Sequence, residues 1–216
     1  MATFDTKKAS EIHRELHSHL PSEPALRVKA LESLMVEKGL TTSETINSWV
    51  EAYSEEIGPK RGAQVIARSW IDPAFKSRLL TDASEAIKEF GFEGNATGHL
   101  KAVENTDDVH NLVVCTLCSC YPFSILGIAP NWYKTAAYRS RAVRDPRGVL
   151  MEFGVSLGTD IQVQVWDSTA ELRYLVISQR PANTEELGEE DLANLVTRNS
   201  LIGTDRVLGK PSEGES

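Results

Sequence analysis

All three cysteines of the chain fall within six residues, as Cys115, Cys118 and Cys120. Thiolates at this density suit a metal or a redox reaction better than a structural disulfide. A tetrahedral zinc site needs four ligands, and His110, five residues before Cys115, is the side chain placed to complete the set. A cuboidal iron–sulfur cluster takes four thiolates and is one short. A dithiol pair needs only Cys115 and Cys118, but Cys120 and Pro122 spoil the strand-to-helix setting of that motif. The Cys118-Ser119-Cys120 spacing offers a further arrangement, because the backbone nitrogens of Ser119 and Cys120 lie between the two sulfurs. With both amides deprotonated, S, N, N and S can chelate one metal in a plane, Cys115 can add an axial sulfur, and one position stays open. Three thiolates and two amidates carry five negative charges, which favours a trivalent, low-spin ion over zinc or magnesium. The open position makes such an ion a Lewis acid.

The elements that must position this cluster can be read from periodicity and turn signals. A polar stretch over 1–24 holds His13, His17 and His19 and ends in Pro21 and Pro24. His13 and His17 flank Glu15 in the wrong order for a zinc hydrolase motif, so this stretch reads as a solvated arm. Residues 25–38 carry Leu26, Ala30, Leu31, Leu34 and Met35 at helical spacing and stop at Gly39. Thr41 and Glu44 have capping-box spacing and predict a helix over 42–57, ending at Gly58-Pro59. Helices follow over 62–71, over 73–80, and from the Asp82 cap to Gly91. Beyond a Gly-rich loop at 92–99, LKAVEN and NLVVCTL read as strands, so the cysteine cluster ends a strand. Helical signals return over 137–144 and 147–153. The alternating stretches 161–166 and 172–177 predict two more strands, with a hairpin turn at 167–170. A short acidic helix is expected over 188–197. Trp49, Trp70, Trp132 and Trp166 are expected in core or interface positions.

Helices first and strands later predict an α+β fold. The expected division is an N-terminal arm and helical region over 1–91, a claw-bearing α+β domain over 92–208, and a disordered tail over 209–216. The 216 residues include 23 Lys and Arg against 31 Asp and Glu, a net charge of −8. That balance disfavours nucleic-acid phosphates and anionic membrane faces as partners. No run of eighteen apolar residues and no signal peptide is visible, so the expected location is cytoplasmic. In that compartment the acceptor pattern Asn95-Ala96-Thr97 carries no glycan.

The stretch VVCTLCSCYP at 113–122 resembles the metal-binding claw of the nitrile hydratase α subunit. The similarity continues through Asn131-Trp132-Tyr133-Lys134, Tyr138-Arg139-Ser140-Arg141, Asp145-Pro146-Arg147, Val165-Trp166-Asp167 and Leu195-Val196-Thr197-Arg198. Upstream it takes in Ala67-Arg68-Ser69-Trp70 and the RVKALES helix, so it covers residues 25–204. Thr116 and Tyr121 look like the cobalt type of the family.

The resemblance implies a four-layer α-β-β-α domain preceded by a helical arm that wraps a partner. It implies one low-spin Co(III) per α subunit, held by the sulfurs of Cys115, Cys118 and Cys120 and the amide nitrogens of Ser119 and Cys120. Cys118 would be a sulfinic acid, Cys120 a sulfenic acid and Cys115 a thiolate. The reaction implied is hydration of a small nitrile to an amide, a hydro-lyase activity centred on Cys118, Ser119 and Cys120. Hydroxide on the metal, free water and the Cys120 sulfenate oxygen stay open as nucleophile. Arg173 and Tyr121 would support the site, and Phe123 would line the pocket. Arg139 and Arg141 read equally as surface charges or as supports of an anionic metal site. A β subunit would supply two arginines in an αβ or α2β2 heterotetramer, and a small activator protein would deliver the cobalt.

Two positions depart from the family pattern. Phe123-Ser124 stand where most relatives have Trp-Pro, and Ala96 stands near where several carry a glutamine. Two alternatives accompany this reading. One is the γ subunit of a thiocyanate hydrolase, which has a similar claw. The other is a non-catalytic metal-binding or thiol-sensor module with no open coordination position.

Overall fold

The computed structural model describes residues 23–53, 58–93 and 98–209. His13, His17, Asn95, Ala96 and the last seven residues of the tail lie outside that set. The chain divides into two compact units, Met1–Val50 and Glu51–Ser216.

Among its described residues the first unit carries two helices, α1 (Glu23–Glu37) and most of α2 (Ser43–Glu51), and neither buries a residue. Between them Gly39 takes φ 65°, and the amides of Gly39 and Leu40 close back on Val36 O and Met35 O at 3.0 Å each. This left-handed stop is the one the sequence predicted. The cap of α2 shifts by one residue from the expected Thr41. Thr42 Oγ1 accepts from Thr45 N at 3.1 Å, and the two threonine hydroxyls, 3.1 Å apart, close the box in place of Glu44. The α-helix runs to Glu51 and continues as a π turn over 52–53, and the expected end at 57 lies outside the described residues.

In the second unit, α3 (Lys60–Ile71), α4 (Pro73–Thr81) and α5 (Ala83–Ala86) follow one another at Asp corners. Asp72 Oδ1 accepts from Phe75 N at 2.9 Å and Asp82 Oδ1 from Glu85 N at 3.1 Å. Proline after Asp72 has no N–H to leave unsatisfied at the first helical position. These helices pack on a two-stranded sheet of β1 (His99–Glu104) and β4 (Leu172–Ile177). A second sheet pairs β2 (Val109–Val114) with β3 (Gln162–Asp167). On its far side lie α7 (Ala136–Arg144) and α8 (Pro146–Glu152), while α6 (Phe123–Leu126) packs on α3. The sheets meet through β1, β2 and β4, giving the expected order helix, sheet, sheet, helix. The core between them is aliphatic: Ile66, Leu79, Leu100, Leu112, Leu175 and Ile177 are all buried.

The hairpin expected at 167–170 is not formed. Both sheets are parallel, with Val109 opposite Gln162 and His99 opposite Leu172. The chain does turn there, since Thr169 N donates to Leu172 O at 2.8 Å, but it passes from one sheet to the other. Alternation reports which face of a strand is buried and says nothing about its partner. Parallel partners require a crossover, which the segment holding α6–α8 supplies between β2 and β3. No helix among the described residues is long and apolar enough to cross a membrane.

Candidate metal centre

The cysteine cluster begins where β2 ends. Val114 faces Asp167 across the parallel pair, so both strands deliver their C-terminal ends to one spot. Cys115 is fully buried at the base, Cys118 is exposed and Cys120 is half-buried. The sulfurs of Cys115 and Cys118 are 3.5 Å apart and those of Cys118 and Cys120 are 3.1 Å apart, with all three inside 4.8 Å.

Side chains from several elements grip the carbonyls of this loop. Tyr138 Oη donates to Val113 O at 2.7 Å, Tyr133 Oη to Cys120 O at 2.9 Å, and Arg173 Nε to Tyr121 O at 3.3 Å. Arg139 Nη1 donates to Cys118 O at 2.8 Å, and Asp167 accepts from Thr116 N at 2.9 Å and Thr116 Oγ1 at 2.6 Å. Within the loop Cys118 N donates to Cys115 Sγ at 3.4 Å, and the backbone of Ser119, then that of Cys120, lies near enough to the Cys118 sulfur to help lower its pKa.

These contacts polarise the thiols. Hydrogen bonds from Cys120, then Cys115, then the Ser119 amide lower Cys118 from 9.0 to about 7. Burial, and then its bond to Cys118, push Cys120 up to about 12. Cys118 is thus the thiol that loses its proton more readily, and burial holds Cys120 back. Burial raises Tyr121, Tyr133 and Tyr138 well above an ordinary phenol, so they stay protonated donors.

The three sulfurs are close enough to hold one metal ion. Two sulfurs at 90° about one centre with bonds of about 2.3 Å stand about 3.3 Å apart, against about 3.8 Å at the tetrahedral angle. The observed 3.1 Å lies on the right-angled side, and 3.5 Å falls midway between the two. Buried polar atoms without a partner also stand on the residues around the loop: Tyr121 Oη, Arg139 Nε, Arg173 Nη1 and Arg198 Nε. Donors left open beside sulfur are suited to an anionic group that the chain alone does not provide.

Most of the predicted site residues meet here. Cys115, Cys118, Ser119 and Cys120 form the cluster, and Tyr121 and Arg173 support it. Phe123 lies beyond Pro122, stacked on Tyr53 with ring centroids 4.1 Å apart. Arg141 points away to Glu152 at 2.8 Å. His110, the alternative fourth zinc ligand, is held elsewhere, with Nε2 on Gly203 O at 2.8 Å and Nδ1 near Asn105 at 3.4 Å. Asp167, Tyr133 and Arg198 were not singled out from sequence as site residues. Their signal was the position of Asp167 at a strand end and the lengths of the motifs that contain all three. Clefts of about 590 and 680 Å³, the first beside His110 and Arg206 and the second between α3 and the helix α9 (Glu189–Leu195), contain none of the claw residues.

Comparison with known proteins gives a consistent picture. The family model described as nitrile hydratase, alpha chain, matches residues 22–205. The low-molecular weight cobalt-containing nitrile hydratase subunit alpha of Rhodococcus rhodochrous is 54% identical, over 88% of this chain and 94% of its own. The thiocyanate hydrolase subunit gamma of Thiobacillus thioparus is 39% identical, over 81% of this chain and 76% of its own. A solved double mutant of the Fe-type nitrile hydratase from Comamonas testosteroni Ni1 superposes with a TM-score of 0.80 at 40% identity, covering 88% of this chain and 94% of that one.

Proposed function

The chain belongs to the nitrile hydratase alpha-chain family, and we propose from that premise that it is the α subunit of a cobalt nitrile hydratase. It adds water across R–C≡N to give R–CO–NH₂ at a Co(III) held by Cys115, Cys118, Ser119 and Cys120. The observation that carries this reading is the cluster of three sulfurs within 4.8 Å of one another at the end of β2, with the Ser119 and Cys120 nitrogens lying between two of them in the chain. Zinc would want a fourth side chain, and His110 is committed to Gly203 O.

When bound there, the trivalent ion supplies Lewis acidity to a weakly electrophilic nitrile. The residues of the chain prepare the place for it. Asp167, Tyr133 and Arg139 fix the loop through Thr116, Cys120 O and Cys118 O. Cys118 as a sulfinate and Cys120 as a sulfenate turn two sulfurs into hydrogen-bond acceptors. Arg173, with Nη1 open, is a donor for those oxygens. Phe123 stands as an apolar wall, which suits a neutral nitrile. The claw is open to one side, with Leu117 85% exposed on the loop. A β subunit covering that face would complete the pocket, exclude bulk water and add the remaining positive charge, in an αβ or α2β2 assembly. An activator protein would load the metal.

The test is hydration by the purified αβ complex. Conversion of acetonitrile or acrylonitrile to the amide with no turnover of thiocyanate supports the reading. Thiocyanate turnover without nitrile hydration moves the chain to the thiocyanate hydrolases, and no turnover of either with reversible thiol oxidation makes it a sensor module.

A further inference from the structure

Arg139 has no carboxylate partner among the described residues. Its Nη1 donates to Cys118 O at 2.8 Å and to Thr116 O at a longer 3.5 Å, and its buried Nε has no partner. Arg141, on the same helix, pairs with Glu152 and Asp145 in the ordinary way. A guanidinium held at the claw by carbonyls alone leaves its charge available to an anionic group that forms there.

The carbonyl that Arg139 holds is a particular one. Cys118 C=O and Ser119 N are two ends of one peptide unit, and amide resonance couples them, so negative charge on the nitrogen spreads onto the oxygen. After the Ser119–Cys120 peptide, which would supply the second nitrogen, the unit of Cys120 C=O with the nitrogen of Tyr121 contributes no ligand, and its oxygen receives the neutral hydroxyl of Tyr133 at 2.9 Å. Arg139 is thus the donor on a peptide that would supply a ligand nitrogen, whereas Tyr133 and Arg173 hold carbonyls of peptides that supply none.

We infer that Arg139 is the positioning residue for the backbone ligand. It fixes the plane of the Cys118–Ser119 peptide with the nitrogen toward the sulfurs, and its charge compensates the density that ligation places on Cys118 O. This rests on the reading above that Ser119 N is a ligand. A neutral donor of similar reach can hold the loop but cannot compensate charge, so the two halves of the inference can be separated.

The experiment compares wild-type αβ complex with Arg139→Gln, Arg139→Lys and, as a control on the same helix, Arg144→Gln, all produced with cobalt. Three quantities are read: cobalt per chain, the sulfur-to-cobalt absorption band, and the rate at which a chelator removes the metal. Arg139→Gln is expected to lose cobalt roughly 10- to 100-fold faster, the usual effect of removing a partner that orients a ligand, and to shift the band. Arg139→Lys keeps the charge without the fork and is expected to fall between, with the band nearer wild type; Arg144→Gln should match wild type. Wild-type retention and spectrum in Arg139→Gln would overturn the inference. Should the glutamine variant fail to assemble, Arg139→Lys decides: faster cobalt loss at an unchanged melting temperature supports the inference, and unchanged retention overturns it. A wild-type complex that takes up no cobalt defeats the underlying reading instead.

Discussion

Asp167, the last residue of β3, holds Thr116 by both its backbone N–H and its hydroxyl, at 2.9 and 2.6 Å. The metal loop is thereby tied to the strand beside the one it springs from. Asp167→Ala should release the loop, reduce bound cobalt and lower stability by about 1–2 kcal/mol, since the bonds are to a charged group in an exposed place. Thr116→Ser keeps both donors and should change little. Melting temperature and cobalt content of the two variants check this, and equal losses in both would contradict it.

Tyr133 supplies a second tie, from the 3-10 turn Asn131–Lys134 to Cys120 O. Tyr133→Phe preserves the ring contacts with Tyr121 and Trp132 and removes only the hydroxyl. The expected cost is about 1–2 kcal/mol, because the carbonyl is left unpaired where it is part-buried. Chemical denaturation at unchanged m-value measures it.

His110 gives a pH signature separate from the metal. Burial lowers its pKa below the ordinary 6.5, outweighing the bond to Gly203 O. Both of its contacts suit the neutral ring with the proton on Nε2. Above about pH 6.5 folded and unfolded chains are both neutral here, so the group has no effect. As pH falls below that value the unfolded chain binds a proton that the folded chain refuses, and stability drops by up to about 1.4 kcal/mol per unit until the lower folded pKa is reached. His110→Gln should flatten the fall in melting temperature between pH 7 and 5. Parallel profiles for the two proteins would refute this.

Gly203 takes φ 83°, and a Cβ there would stand 1.8 Å from Asn111 O on β2. Gly203→Ala must move that strand, which leads directly into Cys115. Overpacking costs about 1–3 kcal/mol, with the left-handed backbone adding to it. A melting temperature within error of wild type would show that β2 has more room than this packing allows.

The sequence revealed the claw more fully than the sheet around it. Cysteine spacing is local: six consecutive residues hold all three sulfurs of the cluster, so a short motif located it. Helix ends at Gly39, Asp72, Asp82 and Gly154 were legible for the same reason, each being a cap or stop built within a few residues. Strand partnership is not local. The pairing of β2 with β3 joins residues some fifty apart in the chain, as in Val113 with Trp166, and alternation in 161–166 was equally compatible with a hairpin. Asp167 illustrates the gap: in sequence it ends a strand, and only the parallel register sets it against Thr116. Arg139 was ambiguous from sequence because an arginine on a helix face is ordinary until its carbonyl partner is known.

The central claim is a cobalt centre with backbone ligands and two oxidised cysteines, and its most direct test is mass spectrometry of the peptide spanning Cys115 to Cys120, paired with elemental analysis of the complex. One cobalt per chain, two added oxygens on Cys118, one on Cys120 and none on Cys115 are expected. Zinc with three unmodified thiols would contradict it.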